Sequence, residues 1–423
     1  GSAIMESASA EAAQAPHVPV GVMRLAGAAK EIVNMYRIQT MNKISPVGLN
    51  RFDAALYEVG DEVQDPQGIL VRSAKLLDME FNPSLLAIAR AGVGVNNIPL
   101  DRCAAAGIPV FSTPGANANA VKELVVCAML MGSRDIPGAI RWVREQAASG
   151  VEVATVVEKG KSAFVGPELY KKTLGIIGLG AIGSIVANTA ISLGMDVYGY
   201  DPFLSVDTAL RLDRHVHVVK DINDLYKRAD YVTLHIHYTG KTAHMIDADA
   251  IAAMKRGVRV INLARGEIVD DEAILAALDT GKVAVYVTDF PNNRLLTAPH
   301  VIAMPHLGAS TPESEQNCAA MAVDELTDYL ENGNIRRSVN LPDMVMDRSG
   351  VERLCILHKN VPGMLANITS LFGRDGVNVE NLSNKSRGEY AYTMVDLGTK
   401  VAERVIEDVQ HMANVIRVRV LEW

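Results

Sequence analysis

Two apolar, β-branched runs of this 423-residue chain end in side chains suited to acid–base work on a small anion. Ile261-Asn262-Leu263-Ala264-Arg265-Gly266-Glu267 delivers an arginine at one strand exit, and Ala303-Met304-Pro305-His306-Leu307-Gly308 delivers a histidine at another. A guanidinium binds a carboxylate through two parallel hydrogen bonds and polarises a carbonyl. An imidazole titrating near neutrality exchanges the proton that must accompany a hydride. Either residue alone is more often structural, so the pair takes its meaning from a third stretch, residues 173–184. There an apolar strand runs into Gly178-Leu179-Gly180-Ala181-Ile182-Gly183, helical spacing resumes at Ile185, Ala187, Ala190 and Leu193, and a second strand over 195–200 ends on Asp201. Gly178 permits a tight turn, Gly180 lets the backbone approach a pyrophosphate, and Gly183 lets the helix pack on the strand. The helix N-terminus turns free N–H groups toward the phosphates. A carboxylate at Asp201 accepts hydrogen bonds from the adenosine ribose hydroxyls and repels a 2′-phosphate, which favours NAD over NADP. As a bare glycine-rich turn the stretch would bind nothing; its strand–turn–helix–strand–acid context points to a dinucleotide. Arginine and histidine beside a nicotinamide make a site for interconverting 2-hydroxy and 2-oxo acids.

The elements that must position these groups form a long α/β alternation. Strands are expected over 216–219, 231–236, 258–263, 283–287 and 301–304, and continuous β-branched runs separated by helices imply a parallel sheet buried on both faces. Right-handed crossovers bring all the strand exits to one edge. Upstream, from Tyr36, the same alternation gives a second set of exits: Arg72, Ser73 and Lys75 after strand 67–73; Gly92-Val93-Gly94 after 85–90; and Ser112 to Asn117 after 107–111. Arg72, Ser73 and Lys75 are the anion ligands among them, although Arg72 and Lys75 could equally be solvated surface charges. Residues 118–147 read as a long helix with an elbow at Gly132 and residues 133–138. His235 and His237 sit one alternation apart at a strand end, but with no third ligand nearby no metal is expected. Residues 1–34 are rich in alanine and serine, open with Gly-Ser, and read as a tag or disordered N-terminus.

Composition narrows the class. With 49% apolar and 21% charged residues the chain is an ordinary globular protein of two or three domains. A net charge of −8 argues against a nucleic-acid partner, and no apolar run approaches the roughly 18–20 residues that span a bilayer. Cys103, Cys127, Cys318 and Cys355 are widely spaced and read as reduced packing residues of a cytoplasmic protein.

The motifs GLGAIG, YDP, NLARGEIVDDEAIL and PHLGASTPESEQNCA resemble the D-isomer-specific 2-hydroxyacid dehydrogenases, and the likeness runs from about Met35 to the C-terminus. It implies two doubly wound parallel-sheet domains: a flavodoxin-like substrate domain (35–117 and 310–338) and a Rossmann-type NAD domain inserted in it (118–309). The members most like this chain imply NAD-dependent oxidation of 3-phospho-D-glycerate to 3-phosphohydroxypyruvate, the first step of L-serine biosynthesis. By the same resemblance Arg265 and His306 are catalytic. Arg72, Ser73, Lys75, Val93, Gly94 and Asn117 bind substrate. Gly178, Gly180, Ala181, Ile182, Gly183, Asp201, Ala264, Asp289 and Gly308 hold NAD. One departure stands out: the family places a glutamate beside the histidine after a DVFxxEP-like exit, and this chain reads Thr288-Asp289-Phe290-Pro291-Asn292-Asn293-Arg294. Aligned on Phe-Pro, Asn293 falls at the missing position, and an asparagine orients an imidazole without compensating its charge.

Beyond a helix over 313–330 and a linker over 338–350, the last 73 or so residues read βαββαβ: strands 353–358, 377–383, 390–397 and 415–421, helices 363–372 and 402–412. This ferredoxin-like order resembles an ACT domain (350–423), a small-ligand sensor. The likeness implies serine as effector, with His358, Asn360 and Asn378 at its site and a homodimer or homotetramer as the assembly. As structural residues, Asn360 and Asn378 would simply cap a turn and a strand. The other readings are a dehydrogenase of a different D-2-hydroxy acid and a non-catalytic NAD-sensing corepressor.

Overall fold

The computed structural model describes residues 35–423 and, before them, only Arg24–Leu25. The chain divides into two compact units, one of Ser45–Gly48 and Thr113–Met321, the other of the described residues up to Ile44, Leu49–Ser112 and Ala322–Trp423.

The second of these contains a sheet and a smaller βα module. Strand β1 (Arg24–Leu25) belongs to the module. Strands β2 (Tyr36–Met41), β3 (Tyr57–Gly60), β4 (Gly68–Val71), β5 (Ala87–Arg90) and β6 (Val110–Phe111) form a parallel sheet of order β3-β2-β4-β5-β6. β4 is buried at every position, which is why it reads Gly-Ile-Leu-Val without alternation.

The other unit carries seven parallel strands: β7 (Thr173–Ile177), β8 (Asp196–Tyr200), β9 (His217–Val219), β10 (Tyr231–Leu234), β11 (Val258–Asn262), β12 (Val283–Thr288) and β13 (Val301–Ala303), in the order β13-β12-β11-β10-β7-β8-β9. The order reverses between β7 and β10, the switch point at which open α/β sheets bind ligands. One apolar cluster, around Ile251, Ile268, Ile274 and Leu278, packs under part of this sheet, and a second joins Val125 and Met129 to Val186, Ala187 and Val197. The long helix breaks at the elbow into Ala118–Ser133 and Ile136–Ala148; Arg134 turns extended, and Asp135 caps the second segment by accepting from the Gly138 amide. His235 and His237 lie past the end of β10 rather than on it, and the His235 ring meets Thr233 at 3.1 Å.

The C-terminal module has the strands β14 (Glu352–Lys359), β15 (Val379–Arg387), β16 (Tyr390–Leu397) and β17 (Val415–Glu422), antiparallel in the order β17-β14-β16-β15, with helices Met364–Arg374 and Glu403–Gln410 over one face. β1 adds a fifth, parallel strand on β17, so part of the N-terminal segment excluded from the fold is a sheet strand; the remainder of 1–34 lies outside the described residues. Over β14, β16 and β17 the opposite sheet face is also covered. It covers the end of the helix Pro312–Asn332, whose terminal carbonyls have no acceptor role left inside the helix. Arg419 donates to Tyr329 O and Leu330 O, Arg348 to Glu331 O, Arg353 to Asn332 O, and the Tyr392 hydroxyl to Gly333 O. Gly333, at φ 75°, ends the helix as its sequence requires, and a Cβ there would strike the Cys355 sulfur at 2.4 Å. The expected linker is a packed element: Asn340 receives the Val110 amide and donates to Ile108 O, while Leu341 and Met344 are buried.

Candidate active site

The glycine cradle forms at the exit of β7. Gly178 adopts φ 92°, and a Cβ there would lie 2.4 Å from His235 O. A Cβ on Gly183 would lie 1.9 Å from Gly178 O, whereas one on Gly180 would meet nothing within 4 Å. The first and third glycines are thus required by packing, and the second leaves open space over the N-terminus of the helix Ala181–Ser192. Asp201, at the exit of β8, accepts from the Leu179 amide through one carboxylate oxygen and from the Phe203 amide through the other, 2.9 Å each. That clamp fixes the acid beside the turn and leaves lone pairs for ribose hydroxyls. The residues present fit a dinucleotide. Burial lowers the neighbouring His235 to about 4, so it stands neutral at this edge.

Arg265, Asp289 and His306 follow β11, β12 and β13, three adjacent strands. Asn262, fully buried, donates to Arg265 O at 2.8 Å and accepts from the Ala264 amide, which locks the turn that presents the guanidinium. Phe290 is a neighbour of both chemical groups: the Arg265 guanidinium lies 5.9 Å from its ring centre and the His306 imidazole 4.7 Å from it. Asp289 is 1% exposed, and neither carboxylate oxygen has a hydrogen-bond partner of good geometry. Burial raises its pKa, opposed by the charges of His306 and Arg265 and by the nearby Gly308 amide. Burying an acid is costly, and here the His306 ring and the Arg265 guanidinium lie within electrostatic reach of it. Asn293, the expected stand-in for the missing glutamate, is exposed on the first turn of the short helix Asn293–Leu296 and has no side-chain hydrogen bond among the described residues; its neighbour Asn292 caps that helix. The acid that faces His306 electrostatically is therefore Asp289. Asn117 precedes the helix Ala118–Ser133 without capping it, and its Oδ1 is buried and unpartnered.

The other predicted substrate residues lie on the first sheet. Arg72, Ser73 and Lys75 are exposed beyond β4, and Val93 and Gly94 are half-buried beyond β5. Two residues that sequence reasoning missed, Asn42 and Asn97, hold the Arg72–Lys75 turn by its backbone. In the C-terminal module the predicted effector residues separate. His358 is 2% exposed, its ring engaged by Lys359 O and the Thr393 hydroxyl at 2.8 Å each, so it serves the sheet. Asn360 is exposed and donates to Gly388 O at 3.1 Å; Asn378 is exposed and donates to Glu380. Among the described residues no cluster of metal-ligating side chains occurs.

A parallel sheet with a glycine cradle at its switch point, an acid on the next strand, and arginine, aspartate and histidine on three further exits defines a dinucleotide-dependent dehydrogenase fold. Residues 126–308 match the D-isomer specific 2-hydroxyacid dehydrogenase NAD binding domain, and residues 354–417 match the AHAS small subunit-like ACT domain. The chain is 31% identical over 408 residues to the D-3-phosphoglycerate dehydrogenase of Haemophilus influenzae, covering 92% of this chain and 96% of that protein. With the D-3-phosphoglycerate dehydrogenase of Escherichia coli it shares 33% over 350 residues, 80% of this chain and 82% of that protein. The chain belongs to the D-isomer-specific 2-hydroxyacid dehydrogenases. It spans 55% of the length of the Methanocaldococcus jannaschii relative of the same name, at 35% identity over 69% of this chain, and a similar share of those from Synechocystis and Bacillus subtilis. Among solved structures, the NAD+-bound 3-phosphoglycerate dehydrogenase of Entamoeba histolytica aligns with a TM-score of 0.55 at 25% identity, over 72% of this chain and 99% of that one.

Proposed function

We propose that this chain oxidises 3-phospho-D-glycerate to 3-phosphohydroxypyruvate with NAD, as the first step of L-serine biosynthesis, under feedback by serine. The observation that carries the reading is that Arg265 and His306 both lie against the Phe290 ring, with the buried Asp289 within electrostatic reach of both. Arg265 binds the substrate carboxylate and polarises the forming carbonyl; His306 removes the hydroxyl proton, and Asp289 favours the imidazolium that results. Gly178, Gly180, Ala181, Ile182 and Gly183 cradle the cofactor phosphates, Asp201 takes the ribose, and Ala264, Asp289 and Gly308 line the nicotinamide end. When bound, NAD supplies the hydride acceptor. Arg72, Ser73 and Lys75 receive the phosphate, Val93 and Gly94 amides assist the carboxylate, and the unpartnered Asn117 oxygen is a further substrate contact. The relatives' shared name and the match to an ACT domain support this substrate and a small-molecule effector. Serine binds through Asn360 and Asn378, in a homodimer or homotetramer of a cytoplasmic enzyme. No described helix is long and apolar enough to cross a membrane.

The test is initial-rate NADH formation with 3-phospho-D-glycerate, D-glycerate and D-lactate. A kcat/KM highest for the phosphorylated acid supports the reading; preference for an unphosphorylated acid replaces the substrate, and absence of turnover with all three favours the corepressor reading. Serine should lower the rate in the wild-type chain and not in Asn360→Ala, and a rate indifferent to saturating serine removes the feedback element.

A further inference from the structure

The turn proposed to receive the substrate phosphate has its backbone already spoken for. The Ser73 and Ala74 amides donate to Asn42 Oδ1 at 2.9 and 2.7 Å, and Asn97 donates from the other side to Ala74 O at 2.7 Å and Arg72 O at 3.4 Å. An anion at this exit therefore cannot be cradled by those two N–H groups, as a helix N-terminus or glycine loop would do it. Side chains must carry the charge. A phosphate monoester brings about −1.5 to −2 at neutral pH, which calls for more than one cation.

The strand register says where another comes from. β2 and β4 are parallel neighbours with Met41 opposite Val71, so residues 42 and 43 leave the sheet beside residues 72 and 73. Asn42 sits at φ 76°, in the left-handed region that asparagine tolerates better than other side-chain-bearing residues. This bend lets its amide oxygen reach across to β4 and sets the direction of the next residue, Lys43. Lys43 and Lys75 are both exposed, and neither has an ion pair among the described residues. On the far side of β2 the β3 exit is acidic, at Asp61 and Glu62.

We infer that the exit of β2 belongs to the phosphate subsite: Asn42 presets the Arg72–Lys75 turn as a positioning residue, and Lys43 adds a cation that selects phosphorylated over unphosphorylated 2-hydroxy acids. This rests on the reading of the substrate as 3-phospho-D-glycerate. The readout is the ratio of kcat/KM for 3-phospho-D-glycerate to that for D-glycerate, measured at low and high salt. Lys43→Gln lowers that ratio by about tenfold or more, the scale of one charge-assisted hydrogen bond; Lys43→Arg keeps most of it. Asn42→Gly removes the clamp while accepting the positive φ, and it also lowers the ratio, mainly through KM for the phosphorylated acid. A purely structural lesion would depress both substrates alike. Ratios in Lys43→Gln and Asn42→Gly equal to wild type overturn the inference, and so does a Lys43→Gln variant that loses only thermal stability, which would assign Lys43 to the β3 carboxylates. If the wild-type chain itself shows no preference for the phosphorylated acid, it is the substrate reading that fails.

Discussion

Asp289 shows how much a single residue can say about its neighbours. A carboxyl group 1% exposed and without a good hydrogen bond works against folding unless something else is gained. Its anionic form attracts positive charge on the His306 ring, so Asp289→Asn should lower kcat with KM for the acid little changed. On its exposed turn, Asn293→Glu should leave kcat in place. Stability has a sign of its own. Burial lifts the folded-state pKa above the ordinary 3.8, so the penalty is absent below that value and grows as pH rises toward the lifted one. Asp289→Asn should accordingly raise Tm at neutral pH in the cofactor-free protein while slowing turnover. His306→Gln removes the proposed proton acceptor and should cost about 10²–10⁴ in kcat, with NAD affinity by fluorescence titration little changed. That Arg265 and His306 follow strand ends was legible in the sequence because each closes an apolar run. That Asp289 is buried while Asn293 is exposed was not, because motif spacing orders residues along the chain and is silent on which of the two turns inward.

At the scale of elements, the end of the helix Pro312–Asn332 explains why the C-terminal module keeps its arginines. Arg353 is completely buried, paired with Asp396 and donating to Asn332 O and Met346 O; Arg419 takes Tyr329 O and Leu330 O in the helix. These cations meet both the unsatisfied carbonyls and the negative end of the helix dipole. Removing one partner of a buried ion pair leaves the other charge stranded, so Arg353→Ala should cost about 3–5 kcal/mol in urea denaturation. An equal substitution at exposed Arg228, whose partner is also exposed, should cost under about 1 kcal/mol. The alternation Arg417-Val418-Arg419-Val420 announced a strand with two faces, and the valine face does meet the helices. What the pattern could not say is that the arginine face meets protein too, since its acceptors, Leu85 O, Tyr329 O and Leu330 O, lie far away in the chain. The elbow at 133–138, by contrast, was readable because Asp135, Pro137 and Gly138 act on their immediate neighbours.

For the molecule as a whole, the helix Pro312–Asn332 begins in the unit with the seven-stranded sheet and ends in the other, the boundary falling between Met321 and Ala322. Strand and helix periodicity is local and revealed the sheets; the point at which packing changes partner within a continuous amphipathic helix leaves no break in that periodicity. Just beyond the boundary sits Glu325, 2% exposed, paired with Arg337, with Asp324 on its own helix and Asp343 on the following segment adding negative charge. Burial outweighs the arginine and lifts its pKa from 4.5 to about 7. The folded chain thus holds this proton more tightly than the unfolded chain does. Its contribution to stability is fully present below about pH 4.5, declines as pH rises through the interval to about 7, and is then exhausted. A lift of that size corresponds to about 3 kcal/mol between the two limits. Glu325→Gln, which cannot ionise and still offers Arg337 an acceptor, should flatten this part of the pH–stability curve: near equality with wild type at pH 5 and a gain at pH 8. Denaturation midpoints across that range decide it, and parallel curves for the two proteins would mean that Glu325 is ionised in the folded chain at neutral pH.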